Sequence, residues 1–455
     1  MRQPERSPEH IRRSRQSWRD DPVRYEPIIA WRLSYFRVIA LERVDRLTAP
    51  MSQQQPDLRL KTVRPSVYLD QWVWIRLAKA NTGSPLDPAD LGLLERIKSA
   101  AAKGVAFPLS ATHYEETGRI LDPAQRKSIS RVMAPIAMGR TIRHRPDLVR
   151  HQLLVGLHEM VGRPTFLPPP PRVLGIGVHW AFRGVEGFMT VVDADDAPLR
   201  SVSRNWLRRL NQFCEFELMA GPANAALPDL IKDGYVMPRD YETAQGNRLE
   251  WEQSFTSQAA TTKSRELLRI KLLARELTHE CGETLTTILN EYKLPLSAVV
   301  YGTEAQSRAR MVQFSELIPT LVIAADMKRE IFRNPAREWT WNMLRDIDAL
   351  SIAIPYCHAV VTDRDAAAIA SLTRAPARYG TTVISNLYDL PDVLDNLTTL
   401  ANSQAEDLSD WTTVGPGEGF STVPPEQLTE LPEGCRIRLL DRDGKLVPPP
   451  RDTSN

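Results

Sequence analysis

Four acidic residues stand at or near points where the chain passes from an extended apolar run into a helix. Asp70 closes Val67-Tyr68-Leu69, after which Trp74, Ile75, Leu77 and Ala78 recur at helical spacing. Glu116, with Glu115 beside it, falls in the first turns of the helix that follows the apolar run Gly104 to Ser110. Asp363 closes Ala359-Val360-Val361-Thr362, and Asp348 lies in the helix just before that run, two places after Asp346. In open α/β sheets the carboxyl ends of the strands are where ligands bind. Each residue alone has an ordinary structural explanation. Asp70 is placed as a helix N-cap, and Glu115 and Glu116 complement a helix macrodipole. As a set they imply more. Carboxylates converging at one sheet edge drive one another toward protonation unless a cation sits between them. Mg²⁺ and Mn²⁺ are the hard cations that prefer oxygen ligands.

The elements that would position this set divide the chain into five parts. Residues 1–60 form an Arg-rich arm and an amphipathic helix over Tyr25 to Arg46. Residues 61–120 give the first part of an α/β domain, with strands at 67–69 and 104–110. Residues 121–335 read as a mainly helical insertion, with helices expected over Ser201 to Met219, Ser264 to Tyr292 and Phe314 to Phe332. Residues 336–400 complete the α/β domain: a helix from Trp341 to Pro355, strands over 358–363 and 381–385, and a last helix from Leu387. Residues 401–455 are a tail rich in Pro, Asp and Glu. In the helix from Trp341, Leu344, Ile347, Leu350, Ser351 and Ile354 mark the packing face. Asp348 borders that stripe and Asp346 lies opposite it.

A net charge of +2 excludes a globally basic nucleic-acid binder, so any phosphate contact must be local. Arg140, Arg143, Arg145 and Arg150 form such a local cluster, read either as a solvated helix face or as a phosphate-contacting surface. The four cysteines, Cys214, Cys281, Cys357 and Cys435, show no zinc spacing and suit free thiols in a reducing compartment. The N-terminal residues lack an apolar h-region, and the most apolar windows are broken by charge. A cytoplasmic location and no membrane span are therefore expected.

Taken in order, these pieces resemble the PIN domain nucleases. The resemblance rests on Tyr-Leu-Asp-Gln-x-x-Trp-Ile at 68–75, Pro-Leu-Ser-x-x-His-Tyr-x-Glu at 108–116, Asp-Ala-Leu-Ser-Ile-Ala at 348–353 and Ile-Pro-Tyr-Cys-x-x-Val-Val-Thr-Asp at 354–363. These variants are similar to a bacterial PIN-like branch, and they cover under half of the chain. The resemblance implies a Rossmann-like α/β fold with a central parallel sheet, interrupted here by the helical insertion. It also implies metal-dependent cleavage of RNA, and a toxin or defence role with an antitoxin or defence-system partner.

On that basis Asp70, Asp348, Asp363 and Glu116 are the expected catalytic and Mg²⁺- or Mn²⁺-binding residues. Gln71, Thr362, Asp346, Asp365 and Glu115 are the supporting or reserve positions. The chain departs from the family at Trp72, where a Ser, Thr or Asn is common. Two alternative readings stay open: a catalytically inactive RNA-binding or assembly module, and a DNA-directed nuclease of related fold. The insertion could also serve as an oligomer contact.

Overall fold

The computed structural model describes residues 61–62, 64–161, 169–184, 188–193, 195, 197, 204–221, 228, 247–334, 336–403 and 436–440. The expected N-terminal arm and its helix, and most of the C-terminal tail, lie outside these residues. The chain begins with β1 (Val67–Leu69), α1 (Gln71–Asn81), α2 (Ala89–Ala102), α3 (Ala111–Arg119) and α4 (Pro123–Ala137). There follow β2 (Arg140–Ile142), α5 (Arg145–Val161), β3 (Leu174–Ile176), α6 (Val178–Arg183), β4 (Phe188–Val192) and α7 (Arg204–Ala220). A helical run comes next: α8 (Asn247–Thr261), α9 (Arg265–Arg275), a π-helical turn at Glu276–Glu280, α10 (Gly282–Glu291), α11 (Glu304–Glu316), α12 (Pro319–Phe332) and α13 (Trp341–Tyr356). The chain then returns through β5 (Ala359–Val361), α14 (Arg364–Leu372), α15 (Ala375–Tyr379), β6 (Thr382–Ile384) and α16 (Leu390–Ser403), and β7 spans Arg436–Leu440.

The secondary structure is mostly helical around a small parallel sheet, an α/β arrangement. β1 pairs in parallel with β5 (Val67 opposite Ala359, Leu69 opposite Val361), and β5 with β6 (Ala359 opposite Thr382). The expected strand at 104–110 is not a full strand. It is an extended segment held by single parallel bridges, Ser66 to Ala106 and Leu109 to Thr141. Pro108 explains the gap between the bridges, because a proline has no amide hydrogen to give to a ladder. Through these bridges the order across the sheet is β2, the 104–110 segment, β1, β5, β6. The order in which the chain lays them down therefore reverses direction between β1 and β5.

Burial explains why such short strands hold. Tyr68 and Val360 point to one face of the sheet, into a cluster built with α5 and α8 to α13. Val67, Leu69, Ala359, Val361 and Ile384 point to the other, against α1, α2, α4 and α16. With both faces covered, every strand residue can be apolar, which is the pattern of a parallel sheet. The helical insertion thus lines both faces of the sheet's core, with α5 and α8 to α12 on one and α4 on the other. It also contains strands that the sequence did not signal: β2 pairs antiparallel with β3, and β4 with β7. The run at 437–440, read from the sequence as part of a tail, is the edge partner of β4. The expected helix from Ser264 to Tyr292 is interrupted by the π turn, and that from Phe314 to Phe332 by a break before Pro319. No helix among the described residues is long and apolar enough to cross a membrane.

His113 ties α3 to the end of β1. Its Nε2 donates to the Leu69 carbonyl (2.7 Å), and its Nδ1 accepts from the Ser110 amide (3.0 Å). Burial depresses the imidazole pKa to about 4, so the ring is neutral and each nitrogen keeps its role. His113→Ala strands both backbone groups and opens a cavity beside Tyr68, whose ring lies 4.8 Å from the imidazole. The expected loss is about 2–4 kcal/mol, read from the urea midpoint.

Candidate metal centre

Asp70 is fixed by the backbone before it is anything else. It is the N-cap of α1, its side chain accepts from the Gln71 amide, and its own amide donates to the Val361 carbonyl (2.9 Å), continuing the β1–β5 ladder by one residue. Thr362 Oγ1 donates to the second carboxylate oxygen of Asp70 (2.8 Å). Asp363 is the N-cap of α14 in the same way, with one oxygen accepting from the amides of Asp365 (2.7 Å) and Ala366 (2.9 Å). The capping explanation is therefore correct for both residues. It leaves Asp363 a second oxygen outside its cap and does not stop either residue from serving a site.

The third member comes from α13, and it is Asp346. One carboxylate oxygen from each of Asp70, Asp346 and Asp363 lies within 4.8 Å of the other two. Tyr68, Asp70, Thr112, Glu116, Arg345, Asp346, Ala349, Leu350 and Thr362 line a narrow cleft at this point. Three carboxylates from three elements, each partly shielded from water, can hold a metal ion. The electrostatics agree with the geometry. Burial, then the charges of Asp70, Asp363 and Glu116, push the Asp346 carboxyl up to about 8. Burial, then Asp70, push Glu116 up to about 8 as well. Asp70 is raised by burial and by Asp363, even though Thr362 and Gln71 donate to it. Groups that resist ionisation together are those a cation between them would relieve.

Asp348 is not in this cluster, which corrects the sequence reading. It accepts two hydrogen bonds from Arg248, 2.8 Å from Nη1 and 2.9 Å from Nη2, and Arg145 lies 3.6 Å away. Burial alone would raise its carboxyl, but the two guanidiniums hold it well below the usual range. Two positions along a helix are about 200° apart around its axis. Asp346 and Asp348 therefore cannot share a site, and the structure gives Asp346 to the cleft together with Ala349 and Leu350.

The reserve positions separate as clearly. Asp365 pairs with Arg337 at the surface. Burial, then the charge of Asp348, raises the Glu115 carboxyl, with Arg119 and Arg248 opposing. Gln71 is buried and donates to Thr117 Oγ1 (3.0 Å), joining α1 to the helix that carries Glu116. Trp72 packs against the second core cluster. The hydroxyl that meets Asp70 comes instead from Thr362, the residue just past the end of β5.

The four arginines of the local cluster are each engaged within the protein rather than gathered on one open face. Arg140 is buried, which lowers its pKa to about 10. Arg143 pairs with Asp147 (3.0 Å) and lies 4.5 Å over the Trp180 ring. Arg145 pairs with Glu280 (3.3 Å) and Arg150 with Glu291 (2.5 Å). The arginine that does stand at the cleft is Arg345, which the sequence reading passed over. Its signal was spacing: Arg345, Asp346, Ala349 and Leu350 share one helix face at intervals of three and four.

No protein-family model matches the chain, and no curated protein or solved structure matches it.

Proposed function

We propose that this chain is a metal-dependent nuclease acting on RNA, with Asp70, Asp346 and Asp363 as its metal-holding carboxylates. The observation that carries the reading is their convergence within 4.8 Å at the carboxyl edge of the sheet. That edge lies between β1 and β5, where the strand order reverses and where open α/β sheets place their ligands. The choice of phosphodiester chemistry, and of RNA over DNA, rests on the sequence resemblance to PIN nucleases. The ordered acidic residues Asp70, Glu116 and Asp363 support that resemblance, with Asp346 in the place first given to Asp348.

The donor set is all oxygen and suits Mg²⁺ or Mn²⁺ better than a softer ion. Such an ion, when bound, supplies an activated water and a counter-charge for the leaving oxygen. The rest follows from the chain itself. Thr362 holds one oxygen of Asp70 in place, and the α14 amides hold one oxygen of Asp363. Glu116, pushed up to about 8 by burial and then by Asp70, would take a proton from a water in the cleft once a cation bound there had displaced its own. Arg345 offers a cation to a phosphate entering the mouth.

The test is cleavage of labelled single-stranded RNA and DNA by the full chain in Mn²⁺, in Mg²⁺ and in EDTA. RNA cut in Mn²⁺ and spared in EDTA is the expected result. Cleavage that survives EDTA overturns the metal centre, and DNA cut in preference to RNA overturns the substrate. Metal uptake without cleavage of either would favour the inactive RNA-binding alternative.

A further inference from the structure

We infer that Asp348 is a positioning residue for the metal centre, acting through a part-buried clasp with Arg248 that sets the rotation of α13 and hence the place of Asp346. This rests on reading Asp70, Asp346 and Asp363 as a metal centre. α13 is the one element of the three that holds its carboxylate without a cap. Asp70 and Asp363 are located by backbone amides at the starts of their helices, whereas Asp346 lies mid-helix and is located only by where α13 sits.

On the opposite side of α13, Asp348 is gripped by the planar fork of Arg248 at 2.8 and 2.9 Å. Glu280 of the π turn accepts from Arg248 Nε (2.9 Å) and from Arg145 Nη1 (3.3 Å). Two carboxylates thus face two guanidiniums drawn from α5, α8, the π turn and α13, and the group is neutral as a whole. A two-pronged bond fixes direction as well as distance, which a packing contact between apolar side chains does not.

The lever is short and the tolerance small. A side-chain tip lies about 5–6 Å from its helix axis, so a turn of ~10° carries it ~1 Å. Metal–ligand distances tolerate about 0.2 Å. Loosening Asp348 should therefore be felt at Asp346, although the two carboxylates point away from each other.

The experiment is Mn²⁺ titration calorimetry, with the electron paramagnetic resonance spectrum of the bound ion, on the full chain and three variants. Asp348→Asn and Arg248→Gln break the clasp. Arg269→Gln breaks other pairs of the helical layer, with Asp326 (2.7 Å) and Glu316 (2.5 Å), that include no residue of α13. Temperatures are kept well below each melting point. The expected result is Mn²⁺ affinity weakened about tenfold or more in both clasp variants, within the range for groups that orient metal ligands. Their spectrum should be altered, and that of Arg269→Gln should match the unaltered protein.

Undiminished affinity in the clasp variants overturns the positioning role and leaves the centre standing. An equal loss in Arg269→Gln also overturns it, since general loosening would then suffice. No Mn²⁺ uptake by the unaltered protein overturns the centre and the positioning with it. If Asp348→Asn does not fold, Arg248→Gln decides alone.

Discussion

Asp346→Asn is expected to abolish Mn²⁺-dependent RNA cleavage and, at the same time, to raise the melting temperature of the metal-free protein. The first effect follows from losing one of three carboxylates that meet within 4.8 Å. A drop on the order of 10² to 10³ in rate is what removal of one charge-stabilising group commonly costs. The second follows from relief of repulsion. Asp346 is partly buried beside Asp70, Asp363 and Glu116, and its carboxyl is pushed up to about 8 because the folded protein resists its charge. An amide of the same shape carries no charge to resist, so above neutral pH the variant should melt a few degrees higher in EDTA.

The neighbouring substitution behaves in the opposite way. Asp348→Asn leaves Arg248 and Arg145 with one carboxylate, Glu280, between them, and should lower stability by about 1–3 kcal/mol in EDTA, between the ranges for exposed and buried pairs. Activity in Asp346→Asn equal to that of the unaltered protein would return the third ligand position to doubt. Stability moving the same way in both variants would show that the charge environments of the two aspartates are not as different as their contacts imply.

The contrast between these two residues also shows what could be read from the sequence. Asp70 and Asp363 were legible because their signals are local: an apolar run buried on both faces, then a capping carboxylate, then helical spacing. Each feature depends on residues within a few positions. The third carboxylate was not legible. In the first half of α13 only Leu344 and Ile347 are buried, and Arg345, Asp346 and Asp348 are all partly exposed, so the pattern marks the packing side but does not say which of the two aspartates faces the cleft. A hydrophobic stripe can point a helix toward one core, but it cannot choose between two walls.

The arginine cluster failed for a related reason. Sequence shows the cations close together, whereas their partners are remote: Glu280 for Arg145 and Glu291 for Arg150. Arg248, which removes Asp348 from the site, lies 100 residues away from it. β7 was hidden likewise, since its pairing with β4 depends on a segment that no local pattern connects to it.

Between pH 6.5 and 8 the metal-free protein is expected to lose stability as pH rises, and Mn²⁺ to restore it. The sign follows from the folded carboxyls of Asp346 and Glu116, both pushed up to about 8 from ordinary values of 3.8 and 4.5. Across this window the folded chain holds more protons on these groups than the unfolded chain, so unfolding releases protons and is favoured by rising pH.

The lower limit of the window is set by opposing groups. His113 and His358 are depressed to about 4 by burial, so their contribution grows with pH only up to about 6.5. Glu215, raised by burial to about 7, adds a slope of the same sign as the cleft at the acid end of the window. The cleft's share is therefore the difference between the unaltered protein and Asp346→Asn, which should flatten the slope. Uptake of Mn²⁺ at pH 7 must displace the protons these carboxyls hold, about one to two per ion. Calorimetry in two buffers of different ionisation enthalpy counts them directly. Uptake without proton release would mean that the ion binds elsewhere, because Asp346, one of the three holding carboxylates, is pushed up to about 8 and must give up its proton to meet a cation.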